Sequence, residues 1–239
     1  MSIIIQISEL DAVDPEGKKI FTDLHFRLQR GEWACIAGPP GTGKTLLLEF
    51  ICGELRPKRG QILVADRNVL RIKPEKWRQL RRRMGIVLRA ATPIHRRTLE
   101  ECVTFKLRAL DLPYEEAQPK ALEVLDLVEL ADQAEKCPHE LNDVEQQLFR
   151  LALTLSHDPV LLLLDDPLRN LSSSKEEQFL KVLEQVHLRK RLTVLMMARE
   201  AQWADRFPVH LYRLEGGSLR ALHPASVAGQ GEASETLYD

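Results

Sequence analysis

The octapeptide GPPGTGKT, Gly38 to Thr45, carries the most specific chemistry in the chain. It matches G-x-x-x-x-G-K-[ST], the pattern of a loop that wraps phosphate groups. Gly38, Gly41 and Gly43 let the backbone turn tightly, so that successive N–H groups, with Thr42 among them, point at phosphate oxygens. Lys44 adds a point charge, and Thr45 offers a hydroxyl to a magnesium ion at the start of the next helix. An ordinary glycine turn between strand and helix needs neither the lysine nor the hydroxyl.

The second half of such a site is a buried strand ending in a carboxylate. VLLLLDDP supplies one, with Asp165 placed to face magnesium and Asp166 beside it. The plain alternative is a strand-ending aspartate in a turn before Pro167. Asp165 follows Lys44 by 121 positions, which leaves room for a helical insertion. AAA-type ATPases often use the same octapeptide but have a much shorter gap, so that class is a distant alternative.

Short apolar runs must position these groups. Ile3 to Ile7, Trp33 to Ala37, Gln61 to Val64, Gly85 to Leu88, Val160 to Leu164 and Leu192 to Met197 read as strands. Continuous apolar strands such as VLLLL suit a central sheet covered on both faces, and helical patterns lie between the last three runs, so the fold class is α/β. Residues from about 90 to 157 contain helical stretches such as EEAQPKALEVLDLVEL and no convincing strand. The expected division is a nucleotide-binding domain over 1–222, with its core at 1–89 and 158–222 and a helical lobe at 90–157. The segment 223–239 is expected to be a disordered tail.

Composition narrows the function. Of 239 residues 44% are apolar, enough for a sizeable core, and 34 basic against 35 acidic residues leave no global field for nucleic acid or anionic lipid. The basic run WRQLRRR, ending at Arg83, reads as a solvated helix face, and no nucleic-acid partner is expected. Four cysteines form no C-x-x-C pair, and Cys35 and Cys52 lie in apolar runs, which suits a reducing, cytosolic setting. No apolar stretch reaches the roughly 18 residues of a membrane span, so membrane contact would come through a partner.

With the phosphate loop, the carboxylate strand and that gap, the chain resembles the nucleotide-binding subunit of ABC transporters, most closely the FtsE cell-division group and its lipoprotein-exporting relatives. LHFRLQRGE, ICGELRPKRGQI, LRRRMGIV, RRTLEECV and TVLMMARE support the likeness. The resemblance implies an ABC-type P-loop fold: a mixed-sheet core, an N-terminal antiparallel β portion and an inserted helical lobe. It implies ATP and magnesium, and a homodimer or heterodimer closing around two nucleotides. It also implies a membrane permease-like partner, with this chain peripheral at the cytoplasmic face.

The chain departs from that family at several positions. Asp166 stands where the family has a catalytic glutamate, and its carboxylate sits one C–C bond, about 1.5 Å, further back. Arg199 replaces a histidine that contacts the terminal phosphate; it cannot exchange protons but can neutralise charge, and its alternative role is a surface pair with Glu200 or another acid. Arg89 replaces a glutamine that contacts magnesium. No aromatic residue stands near Asp14, where the family stacks adenine, and Phe21 comes too late. The signature LSGGQ becomes LNDVE, Leu141 to Glu145, in which Asn142 and Glu145 form an N-cap and capping box. Ser172 replaces an aspartate, and Ser173 with Glu176, or Ser174 with Glu177, reads as a further capping box. Hydrolysis through Asp166 and Arg199 is therefore expected to be weak. Two roles stay open: a slow ATPase coupled to a permease, or an inactive ATP-dependent clamp or scaffold beside a complete paralogue.

Overall fold

The computed structural model describes residues 2–13, 17–87 and 97–223. Two sheets carry it. One is antiparallel, in the order β2-β1-β4-β5, built from β1 (Ile3–Val13), β2 (Lys19–Gln29), β4 (Arg59–Val64) and the short β5 (Arg67–Asn68). The other runs β10-β9-β3-β8-β7-β6, with β3 (Trp33–Ala37), β6 (Met84–Val87), β7 (Leu161–Asp165), β8 (Thr193–Ala198), β9 (His210–Glu215) and β10 (Ser218–His223). Its five strands from β9 to β6 are parallel, and β10 closes the edge antiparallel to β9. This mixed sheet with an N-terminal antiparallel portion is the α/β architecture expected from the sequence.

The strands differ because their surroundings differ. Every residue of β3, β7 and β8 is buried, as a sheet covered on both faces requires, whereas β2 alternates buried and exposed positions. That alternation, KIFTDLHFRLQ, is mixed with charge, and it marks a strand that the search for apolar runs passed over. So do β9 and β10, of which β10 runs to His223, one residue into the segment expected to be a tail.

The helices are α1 (Lys44–Ile51), α2 (Pro74–Arg81), α3 (Leu99–Arg108), α4 (Tyr114–Leu127), α5 (Asp143–Leu155) and α6 (Ser173–Lys190). Between β6 and β7 the described residues form only helices and turns. Thr98 starts α3 with a capping box: its hydroxyl accepts from the Glu101 N–H at 3.2 Å, and the Glu101 carboxylate accepts from the Thr98 N–H at 3.0 Å. Val124, Leu125, Leu148 and Phe149 from α4 and α5 join Leu162, Leu164 and Phe179 in one core, and each such buried side chain contributes about 1.5–3 kcal/mol. The basic run holds α2, whose Arg81 pairs with Glu54 at 3.3 Å and lies over the Trp77 ring.

Two polar clusters tie the helices to the sheet. Asp158, just before β7, accepts from Lys120 on α4 and from Lys190 on α6, and these hydrogen bonds hold its carboxyl below the usual aspartate range despite partial burial. Lys106 on α3 donates to the Leu153 carbonyl and lies 3.4 Å from His157 Nδ1. His157 Nε2 is 3.1 Å from the Met84 carbonyl of β6, so that nitrogen donates and Nδ1 is left to accept from the lysine.

Burial lowers the Lys106 pKa from 10.5 to about 8. The unfolded chain then binds more protons than the folded one between those two values, so this group makes stability rise with pH across that window. Urea denaturation of wild type and Lys106→Met should show wild type gaining on the variant as pH climbs from about 8 to 10.5. A stability difference that stays flat across the window would show that the amine is not desolvated.

Candidate functional site

Strand register assembles the site. Ala37 pairs with Ala198 across β3 and β8, and Asp165 pairs with Met197 across β7 and β8. Three parallel strands therefore end at one level, and the residues that follow them, Gly38, Asp166 and Arg199, emerge together. Backbone bonds hold that edge: the Gly38 N–H donates to the Ala198 carbonyl at 3.2 Å, and the Asp166 N–H donates to the Met197 carbonyl at 3.0 Å. The carboxyl edge of parallel strands is where open α/β sheets place ligands.

Two glycines make the loop possible. Gly43 has φ +96°, and a Cβ there would lie 2.5 Å from Ile20 Cγ2 and 2.8 Å from the Phe21 ring. A Cβ on Gly38 would lie 2.6 Å from the Leu214 carbonyl oxygen. Both positions need backbone without a side chain. Gly41 and Thr42 complete the turn, with the Thr42 hydroxyl donating to the Pro39 carbonyl at 3.0 Å.

Lys44 is buried, and its ammonium donates to the carbonyls of Gly38 at 2.6 Å and Pro39 at 2.8 Å. Burial holds its pKa below the usual lysine range, opposed by the negative charges of Asp166 and Asp165. The Thr45 hydroxyl lies 3.1 Å from Asp165 Oδ2 and 3.3 Å from Oδ1. Residues 120 positions apart are thereby brought into direct contact. Ile20, Lys44, Thr45, Asp165, Asp166 and Arg199 all line one cavity of about 400 Å³.

Asp166 and Arg199 meet as an ion pair, with Arg199 Nε 3.3 Å from Asp166 Oδ2. The acid that holds Arg199 is therefore the other candidate catalytic residue and not Glu200. Asp166 has φ +54°, a left-handed conformation that aspartate tolerates better than most residues. Arg89 and Asp14 lie outside the described residues. Phe21 is buried and packs edge-on against Phe50 with ring centroids 6.4 Å apart, so its ring belongs to the core. Its neighbour Ile20 faces the cavity instead, a lining residue that sequence reasoning missed because β2 went unassigned.

LNDVE opens α5 as the sequence predicts. Asn142 Oδ1 accepts from the N–H groups of Val144 at 3.1 Å and Glu145 at 3.2 Å, while Glu145 Oε2 accepts from the Asn142 N–H at 2.8 Å. Asp143 pairs with Lys175 of α6 at 3.2 Å, and Val144 is buried in the core. Neither contact follows from a capping pattern alone. At α6 the expected boxes do not form: the helix starts at Ser173, so Ser172 is the N-cap, without a side-chain cap bond, and its hydroxyl meets that of Ser174 at 3.2 Å. Glu177 is taken by Lys181 and Arg206 at 2.9 and 2.8 Å.

Because Asn142 satisfies two helix-end donors, Asn142→Ala should lower stability by about 1 kcal/mol. Asn142→Gly should cost only a few tenths of that unit. Chemical denaturation of both variants checks the ordering, and equal losses would assign the effect to something other than the side-chain cap.

Comparison with known proteins agrees with this geometry. The family model described as ABC transporter matches residues 21–169. The cell division ATP-binding protein FtsE of Bacillus subtilis (strain 168) is 28% identical over 216 residues, covering 90% of this chain and 94% of its own length. FtsE of Escherichia coli (strain K12) is 30% identical over 203 residues, covering 85% and 91%. Among solved structures, an ATP-binding cassette captured as a dimer in a post-hydrolysis state with ADP and phosphate superposes with a TM-score of 0.77 at 22% identity, covering 92% of this chain and 98% of that one. On its motifs, its fold and these matches, the chain belongs to the ABC transporter family.

Proposed function

We propose that the chain binds ATP with magnesium and serves as the ATP-binding subunit of an ABC-type membrane complex, FtsE-like, coupling nucleotide binding to a membrane permease-like partner. The contact between the Thr45 hydroxyl and the Asp165 carboxylate, 3.1 Å apart beside the Gly38–Thr45 loop, carries this reading. Both are hard oxygen donors, the kind that magnesium takes together with phosphate oxygens and water. Gly41, Thr42 and Gly43 would present N–H groups to the phosphates, while Gly38, whose N–H is held by the Ala198 carbonyl, would give the loop room to turn. Lys44 would exchange its loop carbonyls for a phosphate oxygen by turning its flexible stem. The ion, once bound, supplies charge neutralisation between the outer phosphates.

In this reading residues 1–89 and 158–222 form the nucleotide-binding core and 90–157 the inserted lobe. Likeness to the FtsE proteins supports a peripheral position at the cytoplasmic face, and among the described residues no helix is long and apolar enough to cross a membrane. The dimeric state of the ATP-binding cassette with ADP and phosphate supports pairing, either with a second copy or with another ABC subunit.

Hydrolysis is weak in this reading for two reasons. The Asp166 carboxylate is set back by about 1.5 Å and already holds Arg199, and a misplacement of about 1 Å can cost on the order of a hundredfold in rate. The α5 terminus that would grip a partner's phosphate has its donors occupied by Asn142 and carries Asp143 at its mouth. That second observation favours a variant of the function: an ATP-dependent clamp or scaffold, catalytically inactive, beside a complete paralogue.

ATP with magnesium should raise Tm by mass action, and Lys44→Ala should remove most of the rise. Equal shifts in the two proteins would sink the assignment of the phosphate site. Steady-state turnover should stay near background for wild type. Asp166→Glu with Arg199→His should raise it only when a complete signature segment faces the site. Wild-type turnover of roughly 1 to 1,000 per second would mark an ordinary enzyme and overturn the impaired-site reading.

A further inference from the structure

We propose that Lys106 is a carbon dioxide acceptor, its side-chain amine converting reversibly to a carbamate whose carboxylate is received by a guanidinium group of α2. The inference stands apart from the phosphate site. His157, beside Lys106, meets the Met84 carbonyl at the start of β6, whereas the phosphate loop lies at the carboxyl edge of that sheet. Both N–H bonds of a neutral Lys106 amine have acceptors: one donates to the Leu153 carbonyl, and the other faces His157 Nδ1 at 3.4 Å. The nitrogen lone pair takes the remaining tetrahedral position. The side chain lines a cavity of about 290 Å³ together with Arg81, Arg82 and His157. Because burial lowers its pKa to about 8, the amine is partly neutral near physiological pH, and only the neutral form is a nucleophile.

The surroundings suit both reactant and product. Met84, Ile86 and Leu110 make much of the wall apolar, which admits uncharged carbon dioxide without the desolvation cost that bicarbonate would meet. The nitrogen lone pair attacks the carbon, and one C=O π pair moves onto oxygen. The proton that nitrogen then loses goes to His157 Nδ1, while the other N–H stays on the Leu153 carbonyl. His157 is ready to accept: burial, and then the charge of Lys106, hold its pKa below the usual histidine range, with Asp158 and Lys120 acting on it in opposite senses. Its ring passes the proton on to water, so the sum is amine and carbon dioxide giving carbamate and one proton. A cation is thereby exchanged for an anion in a cavity where, among the described residues, the charged groups are basic. Arg81 is held by Glu54 at 3.3 Å. Arg82 has only a long contact of 3.6 Å to Asp111, with both side chains largely exposed, and such a pair is easily broken. Its guanidinium is the one free to turn, and it grips a planar carboxylate at two points. Carbon dioxide uptake then ties α3 to α2.

The test incubates the full chain with isotopically labelled bicarbonate, in equilibrium with carbon dioxide, at a pH of about 8. Triethyloxonium then fixes any carbamate as its ethyl ester, and peptide mass spectrometry maps the label. In wild type Lys106 should carry at least about tenfold more label than the exposed lysines, which stay protonated at that pH. The wild-type map decides the matter without any variant. Label spread evenly over the lysines, or missing from Lys106, overturns the proposal, and bicarbonate held only as an ion leaves no ester and overturns it equally. Arg82→Gln changes an exposed side chain and should keep the fold. It should lower the label on Lys106 about threefold, the scale of a half-exposed ion pair, without changing the label elsewhere. Undiminished labelling in Arg82→Gln would remove the guanidinium from its assigned role.

Discussion

The level at which three parallel strands stop governs the site. β3, β7 and β8 are buried along their whole length, so a slip in their register would turn packed faces outward or push charge into the core. With Ala37 opposite Ala198 and Asp165 opposite Met197, Asp165 can end its strand within reach of the Thr45 hydroxyl. The loop glycines work inside that frame. Gly43 yields space to Ile20 and Phe21 and Gly38 to Leu214, so the antiparallel sheet and β9 press the loop from two sides. Much of the fold thus converges on a segment of eight residues.

How much was legible beforehand follows from how local each feature is. The phosphate loop and its strand–helix context are contiguous, and the interactions that shape them act within a few residues. Asp165 is recognisable because a carboxylate ending a run of five apolar residues has few structural uses. The Asn142–Glu145 box was equally readable, since its bonds span three positions. The partner of Arg199 was not, because it depends on two strands lying side by side. The same holds for Lys175 and Asp143, which are 32 positions apart. β2 escaped notice because an alternating strand carries charges on its wet face, and apolar content alone does not find it. At α6 the pattern offered Ser173 and Ser174 as caps, and the helix is instead capped one residue earlier, at Ser172.

Departures from the family pattern do not fall evenly. The half of the site proposed to hold phosphate keeps its residue types and close-packed glycines. The groups expected to act on water, or to receive a partner's nucleotide, are engaged inside the chain: Asp166 with Arg199, Asp143 with Lys175, and the Val144 and Glu145 amides with Asn142. Each is a satisfied interaction, so these segments are coherent local structures with a different set of partners.

The start of α5 has a consequence for how such a sequence can change. Asn142 caps the helix and Val144 is buried to 2% exposure, so both now contribute to keeping the chain folded. Installing glycine at Val144, as a phosphate-gripping terminus asks, opens a void in the core and loosens the first turn before any affinity is regained. Mutational routes back to an open terminus therefore pass through less stable intermediates, and proteins tolerate few of those. Interactions of this kind act as a ratchet: the role of α5 is easier to lose than to restore.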